Sequence, residues 1–214
     1  DTTLRDGEQA TQGFVHGKDS KLEMAKKLAE MGVDTIEAGY PNSSPEDYEA
    51  VETIANEVKG PWICGLARAV PQDIEPTWGA ISHNPKPTLH VFTYMVNKDA
   101  LDSYGKDPFS IIDESVKGVS LARELVGANG RVEFSAQNLI FAVLEALKSR
   151  DKDSLKFLTD LYGSAISAGA DVLNLPDTEG RVMPYQMEMA VAFMKDNVQG
   201  MSDKIISDHG HNDL

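Results

Sequence analysis

A chain of 214 residues, 41% of them apolar, can bury one sizeable core and falls within the range of a single domain. Its 34 acidic residues against 20 basic ones leave a net charge of −14, which repels nucleic acid and anionic membrane surfaces and sets both aside as partners. Cys64 is the only cysteine, so an intramolecular disulfide and a cysteine-rich metal site are excluded, and a reducing, cytoplasmic location is expected.

In chain order, Thr2-Thr3-Leu4 reads as a short strand running into Arg5-Asp6-Gly7, a fixed cation beside an anion. From these residues alone the pair is either the charged surface of a terminus or the end of a buried strand in an active site. Ser20-Lys21-Leu22-Glu23 has the form of a capping box, with Leu22, Ala25, Leu28 and Ala29 at helical spacing and Gly32 placed to end the helix. Thr35–Gly39 is the next strand, and Ser44-Pro45 then caps and opens a helix carrying Tyr48, Val51, Ile54, Ala55 and Val58. Further strands are expected near Trp62–Leu66, Leu89–Tyr94, Arg131–Phe134, Val172–Leu175 and Lys204–Ser207, separated by helical stretches such as Ile111–Val126, Ser154–Ala168 and Met183–Asn197. Counted from Thr2, this makes seven strands.

Short apolar strands alternating with amphipathic helices imply a parallel sheet covered by helices, and strand starts recurring every ~27 to ~42 residues suit repeated βα units. A doubly wound sheet would place a Gly-rich phosphate turn after its first strand, and Arg5-Asp6-Gly7-Glu8-Gln9 has no such pattern. The expected fold is therefore an α/β (β/α)8 barrel, one catalytic domain over residues 1–214. Because such barrels run to about 250 residues, it is expected to be truncated after strand seven, without its eighth unit or any C-terminal regulatory domain.

In a barrel, functional residues belong at the C-terminal strand ends. Arg5-Asp6, His90, Glu133 to Gln137, Asn174 to Thr178, and His209-Gly210-His211-Asn212-Asp213 all fall there. In extended backbone, residues two apart share a face at ~6.5 to ~7 Å, so His209 and His211 can converge on one ion. They can equally be two surface histidines in a loop. Asp6 reaching them across a barrel mouth would complete two imidazoles, one carboxylate and open positions for a divalent ion that also holds substrate.

DTTLRDGEQ at the start, EAGYPNSSPEDYEAV after the second strand, LNLPDT at the sixth and HGHNDL at the seventh together resemble the metal-dependent Claisen-condensing synthases. The 2-isopropylmalate synthase branch fits first, with homocitrate and citramalate synthases as near relatives. The resemblance implies condensation of acetyl-CoA with 2-oxoisovalerate to 2-isopropylmalate and CoA in leucine biosynthesis, by a homodimer. It implies a divalent ion (Mn²⁺, Mg²⁺ or Zn²⁺) on Asp6, His209 and His211, and Arg5 stabilising the charge that builds on the former ketone oxygen. His90, Ser135, Gln137, Asn174 and Thr178 would line the 2-oxoacid pocket.

The departures carry information too. Members of that group usually have Ser-x-Glu-Asp at the end of strand five, where this chain has Ser135-Ala136-Gln137-Asn138. Gln137 cannot act as a base; Glu133, four residues earlier on the same strand face, is the carboxylate available for that role. Tyr94 and Met95 replace small polar residues and are either core or a reshaped pocket wall. Two alternatives follow: a homocitrate or citramalate synthase acting on another 2-oxoacid, and a non-catalytic paralogue that binds metal and 2-oxoacid.

Overall fold

The computed structural model describes residues 1–10 and 17–211; Asn212, Asp213 and Leu214 of the last motif lie outside the described residues. Helices and strands alternate as the sequence requires. Helices α1 (Glu8–Ala10) and α2 (Lys18–Glu30) precede β1 (Thr35–Gly39), α3 (Pro45–Glu57), β2 (Trp62–Arg68), α4 (Pro71–Ile81) and β3 (Pro87–Thr93). Then come α5 (Lys98–Tyr104), α6 (Pro108–Val126), β4 (Arg131–Ala136), α7 (Leu139–Ser149), α8 (Lys152–Ala168), β5 (Val172–Asp177), α9 (Pro184–Asn197) and β6 (Ile205–Gly210).

Six strands are present among the described residues, because Thr2–Leu4 is not one. Only Asp1 lies along β1, giving its N–H to Thr35 O at 2.7 Å and accepting from Glu37 N at 2.9 Å. Its side chain then takes the Thr3 N–H at 2.9 Å, and the Thr2 carbonyl accepts from the amides of Arg5, Asp6 and Gly7, closing Thr3–Gly7 into a π-helical turn. A short β-branched run loses to these local hydrogen bonds once the aspartate captures the amide a ladder would need. The Ser20 cap is also corrected: α2 starts three residues earlier, at Lys18 with Gly17 at the N-cap, so Ser20 lies inside the first turn.

The chain forms two compact units, one of residues 1–91 and 121–132 and the other of 92–120 with 133 onward. In the first, β1 and β2 pair in parallel, with Ile36 opposite Ile63 and Glu37 opposite Cys64 before the register slips ahead of Gly39. Ile36, Ile54, Ile63, Ile74, Ile81 and Leu89 are fully buried. Helix α3 begins where expected, with Ser44 Oγ accepting from Asp47 N at 3.1 Å and Pro45 at the first position. It lies close to β1 because Gly39 has no side chain: a Cβ there would stand 2.7 Å from Val51 Cγ2 and 2.8 Å from Asp47 Oδ1.

In the second unit, β4 pairs with β5 and β5 with β6, all parallel, which aligns Ser135, Asn174 and Ser207 in one row. Asp151 caps α8 by accepting from Asp153 N and Ser154 N, both at 3.1 Å, and Gly169 ends it at φ 116°. Tyr162 on α8 is fully buried, packs edge-on to Phe134 with centroids 5.3 Å apart, and donates its hydroxyl to Asn174 O at 2.7 Å while accepting from Ala136 N at 3.1 Å. One phenol thus joins the ends of β4 and β5 to the helix behind them, and burial pushes its pKa above the ordinary tyrosine range. Among the described residues no helix is long and apolar enough to cross a membrane.

The close approach at Gly39 gives a first test. Gly39→Ala forces Val51 and Asp47 aside and is expected to cost about 1–3 kcal/mol, read as a lower urea midpoint at unchanged slope.

Candidate active site

The π-helical turn sets the direction of Arg5. Its Nε donates to Glu37 Oε1, and its Nη1 donates to Asp6 Oδ1 at 2.7 Å and to Gln9 Oε1 at 3.3 Å. The other Glu37 oxygen, Oε2, lies 2.6 Å from His90 Nδ1 and 3.9 Å from Cys64 Sγ. The side chains of Arg5, Glu37 and His90 are 11%, 7% and 7% exposed, so this is a buried carboxylate held between a guanidinium and an imidazole.

Burial alone would raise the Glu37 pKa, but the charge and hydrogen bond of protonated His90, and then those of Arg5, outweigh it and hold the carboxyl well below the usual range. For Arg5, burial works against the charge, and Glu37 first and Asp6 second more than restore it. Arg5 is therefore a fixed, oriented cation with few other places to point.

Two further anions, Asp47 and the fully buried Asp73, brace the loops around it. Lys21, 2% exposed, reaches Glu8 at 2.5 Å and Asp47 at 2.6 Å, and so ties the Arg5-Asp6-Gly7-Glu8 segment to α3. Asp47 also accepts from Tyr40 N at 2.6 Å. Asp73, at the start of α4, is fully buried and accepts from Tyr40 Oη, from Asn42 Nδ2 at 2.7 Å, and from Arg68 Nε and Nη2 at 2.8 and 2.9 Å. Burial first, and the bond to Asp73 second, push the Tyr40 pKa up to about 12. The segments that follow β1 and β2 are thereby fastened to each other.

The remaining expected residues lie in the second unit. Glu133, 9% exposed, accepts from Ser207 Oγ at 2.8 Å and from Asn174 Nδ2 at 3.2 Å. Ser135 is buried in the row with Asn174 and Ser207. Gln137 stands just beyond β4, its backbone joined to Thr93 O and Val96 N. Thr178 Oγ1 accepts from Asn138 N at 2.9 Å, and Asn138, left-handed at φ 62°, turns the chain into α7. His209 and His211 lie side by side, ring centroids 5.0 Å apart. Tyr94 is not core: it is 36% exposed, beside Tyr104 and under Lys106 Nζ at 4.3 Å from its ring. A cavity of about 960 Å³ runs along α7, past Phe141, Glu145, Arg181 and Met189, and is lined by none of the expected site residues.

The structure thus joins Arg5 to His90 through Glu37 and to Asp6 directly, joins Glu133 to Asn174 both directly and through Ser207, and sets His209 beside His211. Sequence reasoning missed Glu37, Cys64, Asp73 and Ser207. For Glu37 a signal existed: an acid in the middle of the apolar run Thr35-Ile36-Glu37-Ala38-Gly39, where a strand covered on both faces has no solvent side to receive it. Glu37, Cys64 and His90 also offer three metal-ligating atoms, all within 4.8 Å of one another.

Comparison with known proteins fits this arrangement. The chain matches the HMGL-like family over residues 1–214. It is 38% identical over 214 residues to the 2-isopropylmalate synthase of Dictyoglomus turgidum, covering 100% of this chain and 40% of that protein. With the 2-isopropylmalate synthase of Prochlorococcus marinus it shares 41% identity over 220 residues, again across 100% of this chain and 37% of the relative. The chain therefore spans well under half the length of these relatives. The crystal structure of hydroxymethylglutaryl-CoA lyase from Pseudomonas aeruginosa superposes with a TM-score of 0.72 at 16% identity, covering 99% of this chain and 67% of that one. The fold is that of the (β/α)8 barrel, present here in part.

The depressed Glu37 pKa fixes a sign. Its contribution to stability is full above the ordinary value of 4.5 and is lost as pH falls from there toward the lower folded value. Glu37→Gln leaves Arg5 with Asp6 as its remaining anion and is expected to cost roughly 3 kcal/mol near neutrality. In urea titrations, the gap between wild type and variant should hold from about pH 7 to about pH 5 and narrow toward about pH 3; a constant gap would contradict the assignment.

Proposed function

The chain belongs to the HMGL-like family, and from that premise we propose that the whole protein carrying it condenses acetyl-CoA with 2-oxoisovalerate, giving 2-isopropylmalate and free CoA in leucine biosynthesis. The observation that carries the reading is the Arg5 guanidinium held between Glu37 and Asp6 at the head of the DTTLRDGEQ motif. The names of the relatives support the choice of reaction. A homodimer in the cytoplasm is part of the same reading, and the lone, buried thiol of Cys64 is compatible with a reducing compartment.

In this reading Asp6, His209 and His211 hold a divalent ion, Mn²⁺, Mg²⁺ or Zn²⁺. The donor set suits it: neutral imidazoles 5.0 Å apart between centroids can each turn one nitrogen toward a common cation, and a carboxylate supplies the anionic ligand. When bound, such an ion draws electron density from the 2-oxoacid carbonyl. Arg5 presents guanidinium N–H groups where negative charge grows on the former ketone oxygen, and Glu37 holds it there at no reorganisation cost during the reaction. Glu133 takes the proton lost from the acetyl methyl group, its carboxylate oriented by Ser207 and Asn174. The new carbon–carbon bond then forms, and water cleaves the thioester to release CoA and a carboxylate. His90, Ser135, Gln137, Asn174 and Thr178 bound the 2-oxoacid.

A second reading rests on Gln137, a neutral amide just beyond β4 where the resemblance implies an acid, and favours a protein that binds metal and 2-oxoacid without turnover. The two separate in one assay, thiol release from acetyl-CoA by the whole protein with Mn²⁺. The proposal expects release to be fastest with 2-oxoisovalerate, slower with pyruvate and scarcely detectable with 2-oxoglutarate. Preference for 2-oxoglutarate would indicate a homocitrate synthase, and no release with any 2-oxoacid despite metal binding would indicate the non-catalytic protein. Arg5→Gln is expected to lower kcat by about 100-fold or more while leaving Mn²⁺ affinity within a few-fold of wild type.

A further inference from the structure

The charge network of the first unit includes Cys64, a thiol that the proposed reaction does not use, beside Glu37 and His90. Glu37 and Cys64 face each other across the parallel pair of β1 and β2, and His90 stands on β3, the next strand in order. A carboxylate oxygen, a thiol sulfur and an imidazole nitrogen from three adjacent strands come within 4.8 Å of one another. We propose that Glu37, Cys64 and His90 form a second divalent-metal site, selective for thiophilic ions of the zinc class and separate from the site assigned to Asp6, His209 and His211.

The donor chemistry points to that class. One thiolate, one imidazole and one carboxylate, with a fourth position open, is a zinc-type ligand set, and the sulfur disfavours Mg²⁺ and Mn²⁺, which prefer oxygen. The spacing asks for little movement. In a tetrahedral site, nitrogen and oxygen ligands stand roughly 3.3 Å apart and sulfur about 3.6 Å from either. Cys64 Sγ lies 3.9 Å from Glu37 Oε2, and the 2.6 Å Glu37–His90 hydrogen bond opens by a fraction of an ångström as the ion takes the proton's place.

Charge also balances. The thiol of Cys64 gives its proton to solvent, His90 gives up any proton on Nδ1, and thiolate and carboxylate together neutralise the dication, so no net charge is added at a site where each residue is at most 6% exposed. Arg5, already on Glu37 Oε1, becomes the outer donor that orients the ligating carboxylate. The Glu37 and His90 side chains keep 7% exposure each, so the cluster is not sealed from solvent.

Because Cys64 is the only cysteine, absorption from thiolate-to-metal charge transfer has one source in this chain. Cd²⁺ titrated into metal-free protein is expected to raise that band to saturation at one ion per chain. Asp6→Asn should leave the band in place, Cys64→Ser should abolish it, and His90→Asn should weaken the binding that produces it by more than about tenfold. Circular dichroism of each variant separates loss of the site from loss of the fold. Mn²⁺ in excess should not displace the band. The proposal is overturned if wild type binds Cd²⁺ by calorimetry without the band, if Asp6→Asn removes it, or if folded His90→Asn retains it at unchanged affinity, which would leave a lone thiol and no site. None of these outcomes depends on synthase activity, so this proposal and the assigned reaction can fail independently.

Discussion

Most of what is specific about the first unit depends on one buried anion. Glu37 sits in the middle of a strand covered on both faces, where an isolated carboxylate would cost several kcal/mol. It is tolerable only because Arg5 and His90 approach it from either side. The dependence runs in both directions. Without Glu37 the guanidinium of Arg5 would be buried beside Asp6 alone, and His90 would lose the partner on its Nδ1. Fixing Glu37 therefore fixes the direction of the opening turn, although that turn is made locally by Asp1 and the Thr2 carbonyl.

The same device recurs nearby. Asp47 with the buried Lys21, and the buried Asp73 with Arg68, are likewise carboxylates gripping cations, and each also holds a backbone or side-chain donor from the segment after β1. Segments leaving the C-terminal ends of strands cannot be packed as core without stranding their backbone polar groups. Here anions with several acceptor sites do that work. The second unit solves the same problem with fewer charges: the Tyr162 phenol, the Asn174 amide and the Ser207 hydroxyl tie strand ends together, and Glu133 is held by neutral donors. The first unit should accordingly be the more sensitive to acid, since its braces need ionised carboxylates.

The parts legible in the sequence were those set by local pattern. Five of the expected strands after the first appear where runs of apolar residues placed them, and the sixth, β6, begins within a residue of its expected start. The Ser44-Pro45 start of α3 and the Gly32 end of α2 needed only neighbours in the chain. Thr2–Leu4 misled because strand propensity was weighed without the Asp1 side chain that competes for the Thr3 amide. Ser20 and Glu23 match the capping pattern, yet Gly17 holds the N-cap, so the pattern was necessary and not sufficient. Glu37 was missed for a different reason. Its partners are 32 and 53 residues away in sequence, and no local spacing announces a charge pair that only the sheet brings together.

Glu37 holds Arg5 and His90 in one buried hydrogen-bonded unit. Solution NMR of the chain labelled with nitrogen-15 at arginine tests it most directly, the Arg5 Nε–H signal being identified by its loss in Arg5→Lys. The Arg5 Nε–H resonance is expected downfield of the signal of an exposed arginine such as Arg150, persisting against exchange with water, and returning toward the exposed position in Glu37→Gln. An Arg5 signal at the exposed position in the wild type, exchanging as fast as the others, would contradict it.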